Sequence, residues 1–200
     1  MEQQVNEITE RLKQKVSSWS LFANGLRYSW LVDYATYTAG GQFELSDEEW
    51  DNRNFVSNFK GNSELTTEFD HRNALNKAID MVSTKIKKTF GDEAQQIALV
   101  CIPASTLENT ERRFKEFSQK VCLETEMENA YDHFSFKEDN TDYTMDKEWF
   151  KDRQVLVFDD IIASGHSIMT FAGNLQQNGA NVIGALALAK KREDNYDQLS

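Results

Sequence analysis

Two adjacent carboxylates, Asp159 and Asp160, follow the apolar run Val155-Leu156-Val157-Phe158 and precede Ile161-Ile162-Ala163-Ser164-Gly165-His166-Ser167. Neighbouring acids at the end of a buried strand repel each other and resist desolvation, so packing alone does not account for them. A metal ion or the hydroxyls of a sugar would stabilise the pair. The residues just beyond supply a second kind of chemistry. Ala163, Ser164 and Gly165 are small enough for a ligand to reach the backbone, and Ser164 and Ser167 bring hydroxyls to the first turn of a helix. Aligned peptide dipoles place roughly half a positive charge at such a helix start, and its free N–H groups point outward, so this is an anion site.

The elements that hold these groups can be read from their spacing. Four consecutive apolar residues fit a strand covered on both faces, and Ile168, Met169, Phe171, Ala172 and Leu175 continue at helical spacing until Asn178-Gly179, a left-handed stop. A second buried strand, Ile97 to Ile102, ends at Pro103, the only proline of the chain, and a third covers Val182 to Ala189. Buried strands alternating with helices predict a parallel α/β sheet, whose ligands sit at the carboxyl ends of the strands. The loops after Ile102 and after Asp160 both leave the sheet at that edge. Between them, the run Glu111 to Lys120 is basic in an acidic protein; it reads either as a solvated helix face with ion pairs or as a phosphate-facing segment.

Earlier in the chain, Val5, Ile8, Leu12 and Val16 predict an amphipathic helix from about Glu2 to Ser17. The stretch Trp19 to Tyr37 is rich in aromatic residues, which suits a core cluster or, more sharply, a cap with a platform for a flat acceptor such as a nucleobase. Gly40-Gly41 breaks it, and Ser46 begins a short helix with acids in its first turn. Phe55 to Gly61 reads as a short strand into a turn, and Ala74 to Phe90 as a long helix. In the acidic region 124–153, Phe134-Ser135-Phe136 reads as a strand and Asp146 to Phe150 as a short helix. After Lys190-Lys191-Arg192 comes an acidic tail.

A chain of 200 residues fits one domain with a sizeable core, and a net charge of −11 argues against nucleic acid as the main partner. There is no apolar run of membrane-spanning length and the first residues do not read as a secretory signal, so a cytoplasmic protein without a membrane partner is expected. Cys101 and Cys122 are expected to be buried and reduced. With His71, His133 and His166 scattered, no zinc pattern emerges.

The run from Val155 to Ser167 resembles the 5-phosphoribosyl-1-pyrophosphate (PRPP) motif of type I phosphoribosyltransferases: apolar strand, two acids, two apolar residues, and a small-residue turn with glycine and a hydroxyl. The resemblance implies a parallel-sheet, Rossmann-like phosphoribosyltransferase fold as one domain, with residues 1–60 as an N-terminal hood and 61–190 as the core. It implies that Asp159 and Asp160 hold the ribose hydroxyls and that Ala163, Ser164, Gly165, His166 and Ser167 hold the 5-phosphate. Phe59-Lys60-Gly61, the strand ending Ile102-Pro103-Ala104-Ser105, and Arg112-Arg113-Phe114 are similar to the competence-protein ComF branch, without its zinc ribbon. Backbone amides near Ala104 and Ser105, and Arg112 or Arg113 from a mobile loop that carries both, would face pyrophosphate. The implied reaction is displacement of pyrophosphate from Mg²⁺-bound PRPP by a nitrogen nucleophile, with the metal held mainly by the substrate and no general base identified. The expected partners are PRPP and an acceptor, with homodimerisation open. A non-catalytic PRPP or nucleotide sensor on the same fold is the alternative, and an interaction protein that has lost the site is a third reading. Members acting on 6-oxopurines carry an aspartate where Ala163 stands, so hypoxanthine and guanine are not expected as acceptors.

Overall fold

The computed structural model describes residues 2–35, 45–61, 64–137 and 142–192. The chain runs α1 (Glu2–Lys15), β1 (Ser20–Leu21), β2 (Arg27–Tyr34), α2 (Asp47–Lys60) and α3 (Glu68–Phe90) into β3 (Ile97–Cys101). It continues through α4 (Leu107–Thr110), α5 (Glu116–Thr125), β4 (Glu128–Asn129), β5 (Phe134–Phe136), β6 (Tyr143–Met145) and α6 (Lys147–Phe150). It closes with β7 (Gln154–Ile162), α7 (His166–Gln177) and β8 (Asn181–Lys191).

The main sheet has the order β1-β2-β8-β7-β3-β4. All neighbours are parallel except the β1–β2 hairpin at one edge. This is an α/β fold with a mostly parallel central sheet. β7 and β8 are apolar along nearly their whole length because both faces are covered. One face carries Leu156, Phe158, Leu186 and Leu188 against α1, α2, α3 and α5. The other carries Val155, Val157, Ala185 and Ala187 against α7 and the β5–β6 ribbon. Phe134 of that ribbon stacks on Phe171 of α7 with centroids 6.0 Å apart.

The N-terminal segment, expected as a hood, enters this sheet directly: β2 pairs with β8 from Tyr28↔Ala185 to Tyr34↔Lys191. Tyr37, Gly40-Gly41 and the acidic tail lie outside the described residues. The stretch Phe55 to Gly61, read as a strand, is instead the second half of α2. Phe55, Val56 and Phe59 are its buried face, an apolar spacing too short to separate strand from helix by pattern alone. The helix begins where Ser46 and Glu49 form a reciprocal capping box and ends at Gly61, whose φ of 65° continues no helix. The strand at Phe134 and the short helix after Asp146 are both present, the latter capped by Asp146 Oδ1 accepting from Trp149 N at 3.2 Å. Cys122 is buried and Cys101 partly exposed, and both are free thiols.

Candidate functional site

Side chains alternate across a strand, so the two acids at the end of β7 part company. Asp160 turns to the layer of α2 and α5 and is buried, 5% exposed. There Arg113 Nη1 meets its Oδ2 at 2.9 Å and Lys60 Nζ lies 3.3 Å from its Oδ1. Asp159 lies on the strand next to it, and its Oδ1 accepts from Asp160 N at 2.8 Å. Burial, followed by the charge of Asp160, pushes the Asp159 carboxyl up to about 7.

The turn that follows is of the opposite character. Ala163, Ser164, His166 and Ser167 are exposed, and Gly165 sits at φ 78° as the N-cap of α7. No side chain caps this helix, and its first bond to the turn is Met169 N to Gly165 O at 3.0 Å. Ahead of it, the His166 amide has a 3.4 Å contact with Ser164 Oγ. The helix start therefore presents backbone donors to whatever occupies the space in front of it. A Cβ on Gly165 would collide with the ring of Phe22, which is itself stacked on Tyr28 at 3.9 Å. The N-terminal hairpin thus buttresses the turn, a contact that sequence spacing does not show.

A cleft of about 300 Å³ joins these parts. Asp159, Asp160, Ala163, Ser164, Gly165, His166, Ser167, Ala104 and Arg113 all line it. Ser105 and Arg112 do not. Arg112 turns away, with Nε donating to Gly61 O at 2.6 Å and Nη2 to Glu68 at 3.1 Å. The Ala104 amide, expected to face an anion, donates instead to Thr110 Oγ1 at 2.9 Å. The arginines were expected on a mobile loop, yet residues 107–125 are helical, widening to a π turn over Glu111–Lys115. Such a widened turn is common at functional sites, and here it sends neighbouring arginines to different tasks. The sequence marks Lys60 only within Phe59-Lys60-Gly61 and gives it no role; it does not line the cleft itself but stands behind Asp160, a partner that packing alone supplies.

Among the described residues, no group of three or more His, Cys, Asp or Glu could hold a metal ion, and no helix is long and apolar enough to cross a membrane. No family model matches the chain, and no curated protein matches it. Solved structures that resemble it include a hypoxanthine-guanine-xanthine phosphoribosyltransferase at 17% identity, covering 62% of this chain and 67% of that one, with a TM-score of 0.38. A purine phosphoribosyltransferase from Pyrococcus horikoshii is 15% identical over 58% of this chain and 72% of its own, with a TM-score of 0.34. A hypoxanthine-guanine phosphoribosyltransferase from Bacillus anthracis is 12% identical over 62% and 73%, with a TM-score of 0.36. The α/β fold itself rests on the strand order and register above.

Proposed function

We propose that the cleft binds the magnesium complex of PRPP and that the protein is a phosphoribosyltransferase, transferring the phosphoribosyl group to a nitrogen nucleophile. The observation that carries this reading is the meeting, in one cleft, of a carboxylate pair at the carboxyl end of β7 with the uncapped start of α7. The first suits a vicinal diol, the second a phosphate monoester, and a ribose 5-phosphate carries both. In the reaction a C1–N bond forms as the C1–O bond to pyrophosphate breaks. Asp159 and Asp160 orient the ribose and stabilise the positive charge that develops on its ring, while Arg113 offsets charge on the departing diphosphate.

A protein-only metal cage is not what the residues offer; a hard cation brought in on diphosphate oxygens fits them, with Asp159, which is without an ion pair among the described residues, beside it. When bound, Mg²⁺ would neutralise leaving-group charge. Ala163, exposed in the cleft, cannot accept a proton, which counts against 6-oxopurine acceptors. The second reading, a PRPP or nucleotide sensor, is favoured by one feature: Asp160 is already bound to two cations, as in a site built to respond to a ligand.

The test is thermal unfolding with and without PRPP and Mg²⁺, followed by pyrophosphate release across a panel of nucleobases and amines. At ligand about a hundred times its Kd, stabilisation of roughly 2.7 kcal/mol, about 5–10 °C, is expected. It should be lost in Asp159→Asn and in Asp159→Asn with Asp160→Asn, each checked for folding without ligand. No shift at millimolar PRPP would remove the reading; a shift without turnover would leave the sensor.

A further inference from the structure

The ion-pair cluster behind the acids carries an inference that rests on the reading of the cleft as a PRPP site. Asp160 is one carboxylate facing two cations, so the cluster holds a surplus positive charge while the neighbouring Asp159, whose carboxyl burial pushes up to about 7, keeps its proton. Arg113 is almost buried, with 11% of its side chain exposed, and Lys60 is more open at 29%. Neither cation is placed by chance. Arg113 Nε also contacts Lys60 O at 3.4 Å, and Arg112 Nε binds the next carbonyl, Gly61 O. Gly61 has no room for a side chain, since a Cβ there would strike Arg112 and His71. The end of α2 and the π turn are therefore clamped together, and the clamp delivers Lys60 and Arg113 to the same acid.

A ribose diol needs acceptor oxygens, and those of Asp160 are held by Lys60 and Arg113. A diphosphate needs cations, and these two are held by Asp160. One ligand carrying both groups can exchange partners with the cluster in a single event: the diol takes the carboxylate, and the diphosphate takes the cations. Lysine suits the moving part, because its ammonium rides on a flexible four-carbon stem. Arg113, planar and nearly buried, suits the fixed part.

We propose that Lys60 is a diphosphate-binding residue of this site, released from Asp160 when the ribose hydroxyls arrive, so that the two ends of PRPP bind cooperatively. Arg112, by contrast, is a positioning residue that holds the end of α2.

The test is calorimetric titration of wild type, Lys60→Gln and Lys60→Arg with PRPP–Mg²⁺, with ribose 5-phosphate, and with Mg²⁺-pyrophosphate in the absence and presence of ribose 5-phosphate. Loss of one charge-assisted contact should weaken PRPP roughly tenfold or more in Lys60→Gln. Affinity for ribose 5-phosphate should be unchanged or higher, because a competing cation has left Asp160. In wild type, ribose 5-phosphate should strengthen pyrophosphate binding, and Lys60→Gln should abolish that gain. Lys60→Arg, which keeps the charge, should retain most PRPP affinity, and a ligand-free unfolding curve for each variant checks that both fold. Equal losses for PRPP and ribose 5-phosphate, or no loss for either, would overturn the assignment while leaving the PRPP reading intact. Failure of wild type to bind either ligand would overturn both.

Discussion

Asp160 and the turn at residues 163–167 face one cleft, but the protein has neutralised the first and left the second open. Asp160 is buried and bound to Arg113 and Lys60. The turn is exposed except at Gly165, carries no acid, lysine or arginine of its own, and offers backbone donors with only the long contact of the His166 amide to Ser164 Oγ at the helix start. The turn is thus organised before any ligand arrives, as expected of a site for an anion whose shape does not change. If Asp160 takes a ligand as proposed, the acid side must break one set of contacts to make another, which would place ligand discrimination there. In the proposed function a phosphate alone would satisfy the turn, and a ligand with hydroxyls and a second anionic group would be needed to compensate the acid side.

The largest effect should come from breaking the neutralised side. Arg113→Met leaves the buried Asp160 with Lys60 alone, and removing one partner of a buried pair costs about 3–5 kcal/mol, read in urea unfolding. A loss of only a few tenths would show that water reaches the pair freely, and the contrast with the turn would collapse.

The next effect concerns the open side. Gly165→Ala places a methyl group at φ 78° and against the Phe22 ring, which should cost about 2–3 kcal/mol. In a Phe22→Ala background the same substitution should cost only the backbone part, roughly 1 kcal/mol. Additive costs in the double variant would mean that the hairpin does not buttress the turn. For the same reason a bulky residue at 165 is a poor probe of phosphate binding alone, since it disturbs Phe22 as well.

The smallest effect lies between the two sides, at Asp159. The folded protein keeps this proton up to about pH 7, whereas an unfolded aspartate releases it near pH 4. Between those values the native state binds more protons than the unfolded chain, so the contribution of Asp159 to stability falls as pH rises through that window. Asp159→Asn should therefore stabilise the ligand-free protein at pH 8 by on the order of 1–2 kcal/mol, with the gain shrinking towards pH 4. A gain that does not vary with pH would place its origin outside the carboxyl group.

Local pattern made much of this molecule readable from sequence. The continuous apolar runs of β7 and β8, the helix beginning after Gly165, and the placement of Asp159, Asp160 and residues 163–167 at one sheet edge all follow from short-range spacing and from burial on both sheet faces. The sheet order, β2 within that sheet, the helical form of Phe55 to Lys60, and the divergence of Arg112 from Arg113 did not follow in the same way. Each depends on what packs against a segment rather than on its own period. Arg113 finds Asp160 across 47 residues of chain, and the ring of Phe22 reaches Gly165 only because β2 is seated beside β8. Which groups could do chemistry, and at which end of which strand they stand, is legible from the residues alone, because backbone period and capping are local. Which acid is already neutralised, and by which cations, emerges only in the folded molecule, because burial and charge pairing are set by the approach of α2 and the π turn to β7, and no local pattern encodes that approach.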